Sequence, residues 1–381
     1  MKKIIYLALI IMLSAGCMAK EGNENEKQKE SNKPAVTEGE QQSEKAYILA
    51  DKLSLRESSD PASDVIAALD IGTEVEIMEK SDSKQRIGED EAYWYKIKAG
   101  DKTGWCYGAF LAGEADLEEK AKKSMERYFA SDELTVQQAI KMLTAFAKIV
   151  EDTALVDEGV KAIRVLQQEE LTGEYSKMLG EAVDISVIWQ YNEKELNDVE
   201  KLKEEPLKEV VSLIHKNGYH IYSSEGEIYT VPDPQYLLEK FEAYMSEQLK
   251  EFMALEAVEI KQRLSSDGGL VVSWDELSDR IANWESYMGK YPDTEEAQKA
   301  EEHYYLRYLS FYIHGIDNTP AFDINTLELK DEVKASYERY MEKHPDSKAC
   351  EAVKAYYDIL EKNKFMLNDE VTEYLTQLLM S

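Results

Sequence analysis

Residues 94–111 read WYKIKAGDKTGWCYGAFL, and this stretch decides the fold of the first third of the chain. Aromatic and apolar residues stand on both sides of Gly100-Asp101, a pair that fits the tight turn of a β-hairpin. Residues 73–77, TEVEI, show the alternation of a half-buried strand, with two apolar residues on one face and two glutamates on the other. Several short strands of this kind between residues 46 and 111 predict a small closed β-barrel.

The same alternation assigns side chains to the two faces of the predicted hairpin. If Ile97 and Cys106 point into the barrel, then Trp94, Trp105 and Tyr107 point away from it. Aromatic rings are frequent binding anchors, so these three are the candidate ligand-binding residues. They form either a stacking platform for a ligand or a roof over a barrel too small to bury its own core, and the sequence leaves both interpretations open. Cys106 is expected to be a small core residue rather than a reactive thiol.

Further motifs of this region follow one another in a familiar order. They are LSLRE at 53–57, VI at 65–66, GTEV at 72–75, WYKI at 94–97 and GWCYGAFL at 104–111. Together they resemble the bacterial Src homology 3 family, whose domains are SH3-like barrels. The chain departs from the family at Ser58-Ser59, where a Gly-Pro is usual, and in an acidic insertion at residues 81–91. The resemblance implies binding, often of cell-wall peptides, or targeting of an attached enzyme, and not catalysis.

The N-terminus has the pattern of an export signal. Two lysines precede the apolar run at residues 4–13, which is too short to span a bilayer, and small residues then lead to Cys17. Residues 1–16 are therefore interpreted as a signal peptide. The residues before Cys17 resemble the lipobox of bacterial lipoproteins, although Ser14 stands where that family prefers Leu. The resemblance implies lipidation of Cys17, including a palmitate chain; the alternative is an ordinary secreted protein with an unpaired cysteine.

The segment after Cys17 has the composition of a disordered tether. Residues 18–45 contain no aromatic residue, Leu or Ile, so this stretch cannot bury enough apolar surface to offset chain entropy. A flexible coil of this length reaches on the order of 30 Å. We expect residues 17–45 to hold the folded part on the extracytoplasmic face of the cell membrane through the lipid anchor.

Charge excludes one class of partner. The chain of 381 residues has 45 Lys and Arg against 76 Asp and Glu, a formal net charge of −31. Nucleic-acid binding needs a basic stripe that releases counterions, and no window of the sequence supplies one. The three cysteines are too scattered for a disulfide framework or a CxxC metal site.

From residue 117 onward the apolar period becomes three to four, which predicts helices. Thr135 and Ser273 begin capping boxes. We predict a helical subdomain at 115–217, one β-hairpin at 218–231 and a helical repeat region at 232–381. The predicted fold class is multidomain: a small all-β SH3-like barrel at 46–111, followed by a mainly α-helical, repeat-containing domain with one β-hairpin.

An internal repeat organises the last third of the chain. WESYM at 284–288 precedes YPDT at 291–294, just as YERYM at 337–341 precedes HPDS at 344–347, and FEAYM at 241–245 is a partial third copy. The pattern resembles tetratricopeptide-like repeats of bacterial envelope proteins, despite a longer spacing. Tyr287 and Tyr340 are equivalent positions, expected in the core between stacked helix pairs. The alternative is a concave surface that holds a peptide or an envelope protein.

No motif for a reaction emerges. The five histidines lack zinc-site spacing, and the sequence has neither a Gly-rich phosphate loop nor a nucleophile elbow. Cys350 is expected to be a small core residue. We therefore predict no catalytic residue, metal or cofactor, and expect non-catalytic binding of cell-wall peptide or glycan, that is peptidoglycan, or of a wall-associated envelope protein. The alternative is a cell-wall hydrolase of unrecognised type; a solute-binding lipoprotein would need a two-lobed α/β pattern, which is absent.

Overall fold

The computed structural model describes residues 44–131, 133–170, 174–224 and 227–380. The predicted signal peptide, Cys17 and the tether as far as residue 43 lie outside the described residues. Within the described ranges, no helix combines the length and the apolar character needed to cross a membrane.

The first part of the described chain is a strand module at residues 44–113. Its strands are β1 Glu44–Ile48, β2 Leu53–Arg56, β3 Val65–Leu69, β4 Glu74–Lys80, β5 Gln85–Ile87, β6 Asp90–Ala92, β7 Trp94–Ala99, β8 Lys102–Tyr107 and β9 Leu111–Gly113. Seven of them form an antiparallel sheet in the order β3-β2-β8-β7-β4-β1-β9, and β5 pairs with β6 in a separate hairpin. The predicted β7–β8 hairpin is confirmed, with Gly100 at the positive φ of 60° that its turn requires.

The sheet is SH3-like, but the prediction of a closed barrel is wrong. Its two outer strands, β3 and β9, do not hydrogen-bond to each other in the described part of the chain. Strand twist nevertheless wraps the sheet around its own core, to which Ile97 and Cys106 both contribute with no exposed surface. The predicted inward face of the β7–β8 hairpin is therefore confirmed.

Helices make up most of the remainder, the helical block at residues 117–380. The first group is α1 Leu117–Phe129, α2 Val136–Phe146, α3 Thr153–Glu170, α4 Glu174–Ala182, α5 Ile185–Ile188, α6 Glu193–Leu196 and α7 Glu205–Lys216. The hairpin β10 Tyr219–Ser224 and β11 Glu227–Pro232 follows. The second group is α8 Pro234–Phe241, α9 Glu247–Lys261, α10 Trp274–Lys290, α11 Glu295–Ala300, a π-helix Glu301–Tyr305, α12 Leu306–His314, α13 Asp331–Lys343, α14 Lys348–Lys362 and α15 Asp369–Met380.

The predicted hairpin is confirmed as β10–β11, and two shorter hairpins that the sequence did not predict accompany it. They are β12 Ser265–Ser266 with β13 Gly269–Leu270, and β14 Gly315–Ile316 with β15 Thr319–Pro320. Each connects one helix pair to the next, and their tips touch because Asn318 N–H donates to the Gly268 carbonyl at 2.8 Å.

The repeat corresponds to helix pairs with a shared cap. Ser246, Thr294 and Ser347 each accept a hydrogen bond from the backbone N–H three residues later, at the start of α9, α11 and α14. Tyr287 and Tyr340 are 3% and 2% exposed, which confirms them as equivalent core positions. The partial third copy is thus a helix pair as well. The relation to tetratricopeptide repeats stays a prediction.

A buried carboxylate ties three of these helices together. Glu259 of α9 accepts hydrogen bonds from Arg280 Nη1 at 2.6 Å, from Trp284 Nε1 at 3.1 Å and from Tyr308 Oη at 2.6 Å. Since α10 supplies Arg280 and Trp284 and α12 supplies Tyr308, loss of the carboxylate would leave the buried guanidinium of Arg280 with Glu276 as its one remaining acidic partner among the described residues.

The strand module and the helical block share a core. Leu49, Ile71 and Ala112 are 1%, 6% and 0% exposed and belong to the same apolar cluster as the inner faces of α1 and α2. The described residues between 44 and 380 accordingly belong to one compact unit.

Candidate binding site

The candidate site is a cleft of about 450 Å³ between the strand module and α1, called here the aromatic cleft. One wall comes from the strand module, through β2, the loop before it, the outer face of β7 and β8, and the β5–β6 hairpin. The other wall comes from α1. The lining residues are Ala50, Asp51, Lys52, Leu53, Ser54, Arg56, Pro61, Ile87, Trp94, Tyr107, Phe110, Ser124, Arg127 and Tyr128.

The aromatic wall rests on the outer face of β7 and β8. Trp94 and Tyr107 are directly opposite each other in the ladder and pack edge to face, with ring centroids 5.6 Å apart. Phe110 extends this row, its ring centroid 6.5 Å from that of Tyr107. Gly108 lets the chain after β8 pass close to the backbone of Tyr93, because a Cβ at this position would lie 2.6 Å from the Tyr93 carbonyl oxygen. The rings are inclined at 61° and 58° to their neighbours, and they supply the aromatic part of this wall.

The acidic insertion at 81–91 packs against the rings of Trp94 and Tyr107. It folds into the β5–β6 hairpin, where Gln85 Oε1 accepts from Trp94 Nε1 at 2.6 Å. The Tyr107 hydroxyl donates toward the carbonyls of Gln85 and Asp90, and accepts from Ala92 N–H at 3.0 Å. The polar atoms of both rings therefore have protein partners, and the insertion has a structural role.

The opposite wall is one face of α1. Ser124, Arg127 and Tyr128 share it because side chains three and four positions apart on a helix are neighbours. Ser124 Oγ donates to the Leu49 carbonyl at 2.6 Å, and the Tyr128 hydroxyl accepts from Asp51 N–H at 2.6 Å. These bonds hold α1 against the loop between β1 and β2 and fix the width of the cleft.

Charged residues surround the cleft in pairs, with one exception. Arg127 contacts the Asp90 carboxylate through both terminal nitrogens at 3.1 and 2.9 Å, and its guanidinium carbon lies 5.3 Å from the Phe110 ring centroid. Lys52 pairs with Asp70. Arg56 donates from Nη1 to the Ser63 carbonyl at 2.6 Å, but forms no salt bridge with any carboxylate in the described ranges. Its charge is therefore available to a ligand.

The three residues predicted as a platform have different positions. Trp94 and Tyr107 do point away from the barrel core, but they are only 3% and 5% exposed, so an exposed platform of three rings is wrong. The two rings are buried because the β5–β6 hairpin packs against them. Both still contribute to the lining of the aromatic cleft. Trp105 is half-buried on the same outer face, opposite Lys96 and Arg56, and does not line the cleft.

Comparison with known proteins identifies the strand module. Residues 51–112 match the family model of the bacterial SH3 domain. The matched residues contain every strand from β3 to β8 and the β2 residues that line the cleft. No curated protein and no solved structure matches the chain. The helical block has no counterpart in these comparisons.

Several residues of the cleft were missed by sequence reasoning. Arg56 and Phe110 stand in motifs that were used for the resemblance alone. Tyr128 was missed because no pattern in the sequence says which helix packs against the SH3 domain. The spacing of Ser124, Arg127 and Tyr128 was the available signal, since it places one small, one cationic and one aromatic side chain on a single helix face.

The thiols and other titratable groups of the described chain offer no second site. Burial raises the pKa of the Cys106 thiol to about 12, and burial likewise raises the pKa of Cys350, so both are small core residues as predicted. Among the described residues, no cluster of His, Cys, Asp and Glu has the arrangement of a metal site. A polar recess beside Ser347 is already used, because Glu285 caps α14 by accepting from Lys348 and Ala349 N–H.

Proposed function

We propose that this protein is an extracytoplasmic lipoprotein that binds peptidoglycan without cleaving it, through the aromatic cleft. The observation that carries the proposal is the cleft itself, which has a volume of about 450 Å³ and is lined by aromatic rings of the SH3 domain and of α1. Beside them lies the guanidinium of Arg56, which has no carboxylate partner in the described part of the chain. Bacterial SH3 domains are often cell-wall binding, which supports this reading.

The chemistry of the cleft favours a peptide or glycan over an anionic polymer. The half-buried rings of Phe110 and Tyr128 offer apolar surface to the hydrophobic face of a sugar or to an extended peptide, and Arg56 suits a carboxylate such as those of peptidoglycan stem peptides. The net charge of −31 repels a polyanion such as teichoic acid. We therefore expect charge to contribute to binding through one ion pair, between Arg56 and a carboxylate of the ligand.

Sedimentation of the purified protein with insoluble peptidoglycan tests the proposal. Ser54→Trp fills the cleft from β2, and Arg56→Gln removes the free cation; each is expected to weaken binding about tenfold. Thr103→Trp, which adds the same ring at an exposed position of β8, is the matched control and is expected to bind like the wild type. Equal binding by all four proteins would refute a role for the cleft.

A gel assay for wall hydrolysis addresses the enzyme alternative. The wild-type protein is expected to leave peptidoglycan embedded in the gel intact, because the proposal assigns it binding alone. A cleared zone that follows the purified protein would replace the binding function with that of a cell-wall hydrolase.

The proposal includes attachment of Cys17 to the membrane. The small residues before this cysteine support it. The wild-type protein is expected in the detergent-extracted membrane fraction, whereas Cys17→Ala is expected to accumulate as an unprocessed precursor. Unchanged size and fractionation would contradict lipidation while leaving the cleft experiment unaffected.

A further inference from the structure

The strand at one end of the sheet, β3 Val65–Leu69, has an open edge. In the part of the chain that the structure describes, β3 pairs with β2 on one side and lies at the end of the strand order. Its sequence is VIAAL, without charge or proline. Val65 and Ile66 are 52% and 39% exposed, and Ala68 is exposed as well. The backbone groups on the free side of β3 can therefore accept another strand.

The other end of the same sheet is protected. Strand β9 has three residues, of which Leu111 and Ala112 are buried. Helix α1 packs over it, and Lys120 Nζ donates to the Leu111 carbonyl at 2.8 Å. Natural proteins usually protect edge strands in this way, or with charges and prolines, because an open apolar edge recruits other chains. Because β3 has no charge or proline within its own five residues, we expect its edge to be used for pairing.

We propose that the β3 edge binds an extended peptide segment of a partner protein. This segment adds a strand to the sheet, and its uncharged central residues are flanked by basic ones. Backbone hydrogen bonds would supply affinity, and contacts with Val65, Ile66 and Ala68 would favour apolar or β-branched side chains. This site is separate from the aromatic cleft, and the proposal does not depend on peptidoglycan binding.

Charge at the ends of β3 selects the partner. Asp64 and Asp70 flank the strand directly, and Glu57 lies beside Asp64, where its N–H donates to the Asp64 carbonyl at 3.0 Å. Asp70 is paired with Lys52, whereas Asp64 and Glu57 form no salt bridge with any described cation. An incoming strand with Lys or Arg opposite Asp64 would complete this acidic end.

The same charges argue against a second copy of the chain as the occupant. Antiparallel self-pairing centred on Ala67 would place Asp64 of each copy opposite Asp70 of the other. Like charges directly opposite each other destabilise a strand pair. Two chains with a formal charge of −31 each also repel one another.

Binding of a synthetic peptide to the whole protein tests the proposal. The probe is the acetylated and amidated heptapeptide Lys-Val-Thr-Val-Thr-Val-Lys, and isothermal titration calorimetry measures its binding. The same peptide with the backbone nitrogens of all five inner residues methylated keeps its charge and side chains, but neither of its edges retains an inner N–H group that could donate to β3. We expect the methylated peptide to bind about tenfold more weakly, and a Glu-flanked peptide to bind more weakly than the Lys-flanked one.

Protein variants locate the site. Ala68→Lys places a charge in the middle of the edge and is expected to weaken binding about tenfold. Ala62→Lys is the matched control, because it adds the same charge at an exposed loop position of the same acidic region; it is expected to weaken binding much less. Asp64→Asn is expected to reduce the preference for Lys-flanked over Glu-flanked peptide.

Three results would overturn the proposal. Equal binding of methylated and unmethylated peptide would show contact without strand addition. Loss of peptide binding in the cleft variant Ser54→Trp, but not in Ala68→Lys, would place the peptide in the aromatic cleft. A dimer that dissociates in Ala68→Lys on analytical ultracentrifugation would make a second copy the occupant of the edge.

Discussion

His220 is a half-buried histidine on β10, and its buried Nε2 has no hydrogen-bond partner in the described chain. Its ring packs edge to face on Tyr222, with centroids 5.4 Å apart. Burial lowers its pKa to about 4, and nearby His215, Arg263 and Lys261 act in the same direction. The neutral imidazole is thus the form that fits the fold.

This histidine is expected to make the protein sensitive to mild acid. A group whose pKa is lower in the folded state is protonated first in the unfolded state, so stability falls as pH drops from about 6.5 to about 4. His220→Phe keeps the ring and removes the titration, so its free energy of unfolding should depend less on pH over this range. Urea unfolding between pH 7 and pH 4.5 measures the difference, because carboxylates titrate equally in both proteins.

The exposed His303 supplies the control. His303→Phe makes the same substitution at an exposed position and shows what the exchange of the ring does by itself. Parallel curves for the wild type and His220→Phe would show that the imidazole is protonated without loss of the fold.

Sequence periodicity predicted side-chain faces well at this scale but not their surroundings. Alternation placed Ile97 and Cys106 inside and Trp94 and Tyr107 outside, as the structure has them. It could not predict that the outer rings are buried, because burial depends on the path of the insertion at 81–91. A polar, acidic stretch gives no register from which that path follows.

The β5–β6 hairpin, formed by this insertion, is the element that shapes the aromatic cleft. Gln85 satisfies Trp94 Nε1, and Asp90 holds Arg127 of α1. The hairpin thus connects the SH3 domain to α1 and closes one side of the site. Its short strands leave it dependent on these contacts rather than on its own stability.

Gln85→Ala tests this dependence. The change leaves the buried Trp94 Nε1 without its acceptor, and we expect a loss of about 1–3 kcal/mol in the free energy of unfolding. Arg86→Ala, on the same strand with an exposed side chain, should stay within about 0.5 kcal/mol of the wild type. Urea unfolding measures both. Equal losses for the two variants would mean that the hairpin does not depend on the Trp94 contact.

Helix starts were predictable because capping residues are local signals. Thr135 caps α2 with a complete capping box, and Ser273 caps α10. The short hairpins β12–β13 and β14–β15 were not predictable, since two-residue strands are too short to show alternation. They exist because neighbouring helix pairs bring their connections together, as at Asn318 and Gly268.

At the scale of the whole molecule, the predicted domain boundary at residue 111 separates parts of the chain that share one apolar core. Leu49, Ile71 and Ala112 pack with α1 and α2 rather than with the SH3 core. No sequence pattern marks this, because a single apolar residue in a loop or in a short strand looks like an ordinary surface residue. The aromatic cleft has the same origin, since its two walls come from the two sides of this interface.

The shared core predicts that the strand module and the helical block unfold together. Ile97 lies only in the SH3 core, so in two independent domains Ile97→Ala would leave the helices unaffected. With a shared core, unfolding of the module exposes Leu49 and Ile71 and removes support from α1 and α2. We therefore expect Ile97→Ala to cost about 2–5 kcal/mol and to lower the denaturation midpoint of the helical signal in circular dichroism.

The comparison with Ile71→Ala decides how the coupling works. This variant removes apolar contact at the interface itself, so the helical signal should shift here too, while the SH3 core stays intact. Thr103→Ala, exposed on β8, is the control and should leave every midpoint unchanged. A helical midpoint that moves with Ile71→Ala but not with Ile97→Ala would mean that the module can unfold while the helices persist. In that case the aromatic cleft would open without global unfolding, and a ligand that spans both walls would itself hold the module to α1.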